Sequence, residues 1–246
     1  MIVFEHVFFS YGKNQILRDV NFSLLETEKV AILGGSGGGK TTILKLIVGL
    51  LKPDSGRILI DGDDITDKSE DELMEVRKKF SIVFQDGALF DSLNVKENVA
   101  FCLREYTKMS EAEIDLKVRE LLRIVGVEHA INYMPDELSG GMHRRVAIAR
   151  SLAVSKPKMF LYDEATTGLD PVNAENICNL ITELSKNGTG HIIVTHKVVD
   201  ALRVADRFIF LQNGSIVLDG DKYQLLKSDI TDIAVFVSEL NYKISQ

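Results

Sequence analysis

The sequence predicts an α/β fold: a mostly parallel β-sheet covered on both faces by helices, with an N-terminal antiparallel β subdomain and a helical lobe inserted between two core strands. Three observations predict it. Short, near-continuously apolar runs, "KVAILG" (29–34), "FSIVFQ" (80–85), "KMFLYD" (158–163), "HIIVTH" (191–196) and "RFIFLQ" (207–212), alternate with helical patterns. Strands of that kind have no polar face to give to water, so helices must cover both sides of their sheet. The first thirty residues and the turn pairs Asp61-Gly62 and Asn213-Gly214 instead carry hairpin signals, which predict antiparallel strands added at the sheet's edges. Between about Ala88 and Ser155 there is little strand signal.

The helical elements follow in order. Ser69 with Glu72 makes a capping box, and Ser110 with Glu113 makes another, opening a helix that closes near Gly126. Ser139 is a suitable N-cap for the next helix, in which Met142, Val146, Ala149 and Ala153 form an apolar stripe opposite a polar face of His143, Arg144 and Arg145. The helical lobe thus spans about 88–155 inside one domain, 1–246, without internal repeats or low-complexity segments.

Composition bounds the partners. With 246 residues, 45% of them hydrophobic and 26% charged, the chain can bury one substantial core. A formal charge of −7 and a pI near 5.3 argue against a nucleic-acid surface, whose affinity rests on many Lys and Arg. Cys102 and Cys178 stand far apart, which indicates neither a disulfide framework nor a zinc site; both read as small buried apolar residues. The start "MIVFEHVFF" lacks the basic opening and cleavage site of a signal peptide, and no apolar run reaches the ~18 to 20 residues of a membrane span, so a cytoplasmic protein is expected.

The chemistry concentrates in three stretches. In "GGSGGGKTT", Gly34, Gly35, Ser36, Gly37, Gly38, Gly39, Lys40 and Thr41 fit G-x-x-x-x-G-K-[ST], with Thr42 continuing into a helix. Glycines let backbone N–H groups curl around phosphate oxygens, and the helix N-terminus adds partial positive charge. Lys40 would reach the β- and γ-phosphates of a nucleotide and Thr41 would offer its hydroxyl to Mg²⁺. A merely flexible turn would explain neither the strand before the loop nor the helix after it.

The strand "MFLYDE" ends in Asp163-Glu164. An acid pair is often only a helix-start signal. Here it closes a buried strand, where doubly wound sheets place their ligands, so Asp163 would hold Mg²⁺ through its water shell and Glu164 would act as general base on the attacking water. The glycine run also fits G-x-S-x-G, and Ser36, Asp163 and His196 follow the order of a hydrolase triad. That esterase reading leaves Lys40-Thr41 and the acid pair unexplained. In "DELSGGMHRR" (136–145), Ser139, Gly140 and Gly141 open a second helix with bare backbone N–H groups, again an anion site. One triphosphate needs only one cradle.

Together these motifs make the chain resemble the ATP-binding cassette family, the motor subunits of ABC transporters, over nearly its whole length. Tyr11 in "FSYG" matches the aromatic residue that stacks on adenine, and Gln85 matches the Q-loop. "LSGGM" matches the signature motif, Asp163 and Glu164 the Walker B end, "GLD" with Asp170 the D-loop, and His196 in "VTH" the switch histidine. Alone, Tyr11 reads as a strand-end core aromatic, Gln85 as a solvated loop residue and His196 as a helix cap. The resemblance implies a P-loop NTPase with a RecA-like core, using ATP and Mg²⁺. It implies that Gln85 contacts Mg²⁺ and senses the membrane part, and that His196 hydrogen-bonds the γ-phosphate. It also implies that Asp170 belongs to the nucleotide-binding residues, and a head-to-tail homodimer, in which Ser139, Gly140 and Gly141 of one copy complete the partner's ATP site, bound to integral membrane permease subunits on the cytoplasmic face of the inner membrane.

A finer resemblance lies in "FQDGALFDSLNVKENVAFCLRE" (84–105) and "LSGGMHRRVAIARSL", with Met142 where many importers have Gln. These are similar to the ATPases of Mla/Mce-type lipid transporters, known also as organic-solvent tolerance systems. That implies a phospholipid or other hydrophobic cargo, with Mce-type substrate-binding and STAS-type regulatory subunits as partners. An importer subunit for amino acids or anions and an ATP-gated regulator without transport are the alternatives.

Overall fold

The computed structural model describes residues 1–153, 157–186 and 188–244. Strands β1 (Ile2–Tyr11) and β2 (Asn14–Leu24) form a hairpin that each bury one face, through Ile2, Phe4, Val7 and Phe9 on one strand and Leu17, Val20, Phe22 and Leu24 on the other. The step from Phe4 to Val7 breaks the period of two. A register shift there, with His6 at φ 51°, returns Val7 to the buried face. Strand β3 (Lys29–Gly34) runs through a glycine loop into α1 (Lys40–Ile47). Strands β4 (Ser55–Ile60) and β5 (Asp63–Asp64) flank Asp61-Gly62, at φ 57° and 85°, the two positive values that a type I′ hairpin turn requires.

Helix α2 (Glu70–Arg77) opens at the Ser69–Glu72 capping box and leads to β6 (Phe80–Val83). Then come α3 (Val95–Tyr106), capped by Asn94, and α4 (Glu111–Ile124), whose Ser110–Glu113 capping box and closing Gly126 at φ 73° are where the sequence places them. Helix α5 (Gly140–Leu152), β7 (Met159–Asp163), α6 (Pro171–Leu184), β8 (Gly190–Thr195) and α7 (Val198–Val204) follow. The chain continues through the hairpin β9 (Arg207–Gln212) and β10 (Ser215–Asp221) to α8 (Lys222–Leu226) and α9 (Thr231–Ile244).

These strands build two sheets. One has the order β10-β9-β3-β8-β7-β6, parallel throughout except for β10; the other, β2-β1-β4-β5, is antiparallel. Edge addition thus holds for β10 and is corrected for the N-terminal strands, which form a layer of their own, the expected antiparallel subdomain. Their single apolar face decides this, because it has to be covered by packing rather than by hydrogen bonding to a sheet edge. Successive residues of the parallel strands serve two cores. Ala31, Leu33, Phe160, Tyr162, Phe208 and Phe210 face one core with α3 to α7, while Val30, Ile32, Met159, Leu161, Ile209 and Leu211 face the other with α1 and the antiparallel sheet.

Helices α3 to α5 leave and rejoin the parallel sheet between β6 and β7, which are hydrogen-bonded neighbours. The expected end of the lobe at Ser155 lies outside the described residues. Cys178 is buried as expected, and burial pushes its thiol up to about 12; Cys102 is only half-buried. Among the described residues no helix is long and apolar enough to cross a membrane.

Candidate active site

The C-terminal ends of β3, β8, β7 and β6 lie side by side in the parallel sheet, and each delivers one motif. The glycine loop follows β3, Asp163-Glu164 ends β7, His196 follows β8 and Gln85 follows β6. Strands β6 and β8 stop at Val83 and Thr195, short of the expected Gln85 and His196, so neither side chain is held in a sheet ladder.

Within the loop, glycine is a steric necessity at two positions. A Cβ at Gly34, φ 152°, would stand 2.4 Å from the Leu211 carbonyl oxygen, and one at Gly39, φ 98°, would stand 2.6 Å from Leu17 Cδ2. Lys40 is buried, and its Nζ donates to the Gly34 and Gly35 carbonyls at 2.9 Å each while lying 3.8 Å from Glu164 Oε1. Burial pulls its pKa below the usual lysine value, against the pull of the Glu164 and Asp163 carboxylates. Thr41 Oγ1 donates to Asp163 Oδ1 at 2.8 Å. Burial raises the Asp163 pKa above the ordinary carboxylate value, and Thr41 opposes that rise.

Glu164 is a non-glycine residue at φ 48°, a conformation that costs of order 1 to 3 kcal/mol and persists only where its surroundings hold it. Its N–H donates to Val194 O at 2.9 Å, and its carbonyl accepts from Thr167 N at 3.0 Å. Side-chain Oε2 accepts from Thr167 Oγ1 at 2.7 Å and lies 2.9 Å from His196 Nδ1. An ionised carboxylate only accepts, so Nδ1 is the donor in this contact. Donation from His196 to a γ-phosphate oxygen therefore needs a second ring proton or a rotated side chain. The triad order of Ser36, Asp163 and His196 does not assemble: the carboxylate partner of His196 is Glu164, and Asp163 is bonded to Thr41. The esterase reading is corrected on that geometry.

Tyr11, Ile16, Ser36, Gly37, Gly38, Gly39, Lys40, Thr41, Thr42, Gln85 and Glu164 line one cavity of about 360 Å³. Tyr11 is half-exposed and set edge-on to Phe9, ring centroids 4.8 Å apart, which leaves an open aromatic surface. These residues fit a magnesium nucleotide. The loop supplies a cradle of backbone with Ser36 as its one side chain before Lys40, Lys40 a buried cation, and the Thr41–Asp163 pair an oxygen set suited to a hard divalent ion. Sequence reasoning missed Ile16 and Thr167; neither belongs to a phosphate-loop pattern, and only the hairpin and the turn after β7 bring them in.

Ser139, Gly140, Gly141 and Asp170 do not line that cavity. Ser139 caps α5 by accepting from Met142 N at 3.3 Å, and Asp170 caps α6 by accepting from Val172 N and Asn173 N at 3.0 Å. The two caps pack together. A Cβ on Gly140 would meet Leu169 Cδ2 at 3.2 Å, and one on Gly141 would meet Asn173 Oδ1 at 2.7 Å, so the glycine pair is also a packing requirement within the chain. The expected polar face of α5 is corrected at Arg144. It is buried, and its Nη1 donates to Phe84 O at 2.9 Å, tying the helical lobe to the segment before Gln85.

A family model described as ABC transporter matches residues 17–167. The intermembrane phospholipid transport ATP-binding protein MlaF of Haemophilus influenzae is 40% identical over 96% of the chain and 90% of its own length. The glutamine transport ATP-binding protein GlnQ of Escherichia coli is 39% identical over 93% of the chain and 94% of its own. The probable ribonucleotide transport ATP-binding protein mkl of Mycobacterium leprae is 41% identical over 93% of the chain, which spans 66% of that relative's length. Among solved structures, a dimeric post-hydrolysis state of the ATP-binding cassette MJ0796, bound to ADP and Pi, superposes with a TM-score of 0.83 at 34% identity, covering 90% of the chain and 98% of the other. A phosphate loop, an acid pair and a capped glycine helix set on this fold, in a chain matched by that model over residues 17–167, place it in the ABC transporter family, among its ATP-binding cassettes.

Proposed function

We propose that the chain is the ATP-binding and hydrolysing subunit of an ABC transporter for phospholipid or another hydrophobic compound. It works as a head-to-tail homodimer on integral membrane permease subunits, peripheral to the cytoplasmic face of the inner membrane. The observation that carries the hydrolytic reading is the convergence of Lys40, Thr41, Asp163 and Glu164 at the C-terminal end of the parallel sheet. The similarity to MlaF supports the cargo, and with it Mce-type and STAS-type partner subunits.

Bound Mg²⁺ would offset the phosphate charge as it builds in the transition state. Thr41 and Asp163, with Gln85 from the loop after β6, would hold that ion. Lys40 exchanges its two carbonyl partners for β- and γ-phosphate oxygens, and backbone N–H groups of Ser36 to Thr42 bind the remaining phosphate oxygens. Tyr11 stacks on the adenine. Glu164 takes the proton of the attacking water, with His196 beside it. Ser139, Gly140, Gly141 and Asp170, which do not line their own chain's cavity, serve the nucleotide of the partner copy. Closure follows because those residues engage ligand only in the closed dimer, so binding favours that state.

An apolar groove beside Gln85, lined by Met74, Phe84, Phe90, Phe101, Cys102 and Tyr106, offers the permease its contact; Arg144 links its wall to the active site. A mixed dimer tests the shared site. One copy carrying Lys40→Ala and the other an altered Ser139-Gly140 should retain one competent site and about half the turnover, whereas two dead or two intact sites would refute the geometry. The GlnQ similarity favours a second cargo reading, an amino-acid importer. With the co-purified permease in vesicles, stimulation of hydrolysis by phospholipid rather than by free amino acids distinguishes the two.

A further inference from the structure

Thr167 has no part in the nucleotide motifs, yet its hydroxyl makes the shorter of the two contacts on Glu164 Oε2, 2.7 Å against 2.9 Å for His196. The other oxygen, Oε1, faces Lys40 Nζ at 3.8 Å, beyond hydrogen-bond distance. The terminal torsion of a glutamate is broad and two-fold, so a lone carboxylate does not choose which oxygen it presents. Two donors on Oε2 make that choice. The hydroxyl itself sits on a clamped segment: Thr166, wholly buried, donates its Oγ1 to Asp200 Oδ2 at 2.6 Å, and its carbonyl accepts from Lys197 Nζ at 2.8 Å.

We infer that Thr167 is a positioning residue for hydrolysis, its hydroxyl locking the Glu164 carboxylate so that Oε1 receives the proton of the attacking water. The water oxygen bonds to the γ-phosphorus, and the bond to the β–γ bridging oxygen breaks, its electron pair leaving with ADP. The inference rests on Glu164 being the general base.

Full-length Thr167→Val, which keeps the shape and loses the hydroxyl, is compared with Thr167→Ser, which keeps the hydroxyl. A hydrogen bond to a charged group sets the scale, so Thr167→Val should lower kcat about 10-fold or more while KM for magnesium ATP and the unfolding temperature stay unchanged. Thr167→Ser should stay within ~2-fold of the unaltered chain. On a Glu164→Gln background, Thr167→Val should cost nothing further. Unaltered kcat in Thr167→Val, an equal loss in Thr167→Ser, or an undiminished loss on the Glu164→Gln background would each overturn the inference. If the valine variant is destabilised, Thr167→Ala against Thr167→Ser repeats the comparison. Full turnover in Glu164→Gln alone would instead remove the general-base assignment, so the two failures are distinguishable.

Discussion

Gly141→Ala separates packing from ligand binding in the signature helix. The added methyl would stand 2.7 Å from Asn173 Oδ1 and 3.0 Å from its Cγ. An ordinary contact requires Asn173 to retreat by roughly 0.7 Å or more. It cannot do so freely, because its Nδ2 donates to Asp170 Oδ2 at 2.6 Å and its N–H is capped by the same aspartate. Overpacking of this kind costs about 1 to 3 kcal/mol, and a weakened cap about 1 more; the helix propensity of alanine returns at most about 1. The net loss of ~1 to 3 kcal/mol lowers the unfolding midpoint by about 2 to 12 °C in a chain of this size. Asn173→Ala removes the obstruction, so Gly141→Ala added to it should cost less than ~0.5 kcal/mol, a coupling within the range seen for residues in contact. Urea unfolding of the four proteins measures the cycle. Equal costs of Gly141→Ala in both backgrounds would refute the packing account. Hydrolysis by the double variant then adds a second answer: restored stability with lost turnover assigns the glycine to the partner's nucleotide, and recovery of both assigns it to packing.

Glu164→Gln should cut turnover ~10²- to 10⁴-fold while nucleotide still binds and holds the dimer, measured by steady-state hydrolysis and by size exclusion with ATP. Lys40→Ala should lose nucleotide affinity itself, and unchanged binding in a fluorescent-nucleotide titration would count against the cradle. His191 is wholly buried with Nδ1 2.8 Å from Ser185 Oγ, and burial pulls its pKa from 6.5 down to about 4. The unfolded chain therefore binds more protons between those values. This contribution to stability is complete above about pH 6.5 and is lost as pH falls towards 4, by roughly 3 kcal/mol. His191→Gln should flatten that acid limb in urea unfolding at pH 7 and pH 4.5, and parallel losses in both proteins would sink the assignment.

Which parts of this molecule are legible in its sequence depends on the range of the interaction that specifies them. Capping boxes at Ser69 and Ser110, the turns at Asp61-Gly62 and Asn213-Gly214 and the glycine loop before Lys40 were all readable, because each is written in about two to eight consecutive residues and satisfied by local backbone geometry. Apolar strands likewise announced a sheet buried on both faces. An antiparallel N-terminal β subdomain was readable too, but which strands join it was not, since an alternating strand records that it has one buried face but not what covers it.

Sequence alone thus determined the chemical inventory: a phosphate loop, an acid pair and three helix caps at Ser69, Ser110 and Ser139, all set by local backbone demands. Tertiary structure decided how the pieces are joined. It buried Arg144 against Phe84, packed Gly141 against Asn173, and brought Thr167 and His196 to one oxygen of Glu164. The physical reason is that a hydrogen bond such as Thr41 to Asp163 spans 122 residues and leaves no trace in spacing; only the order of parallel strands brings its two ends together.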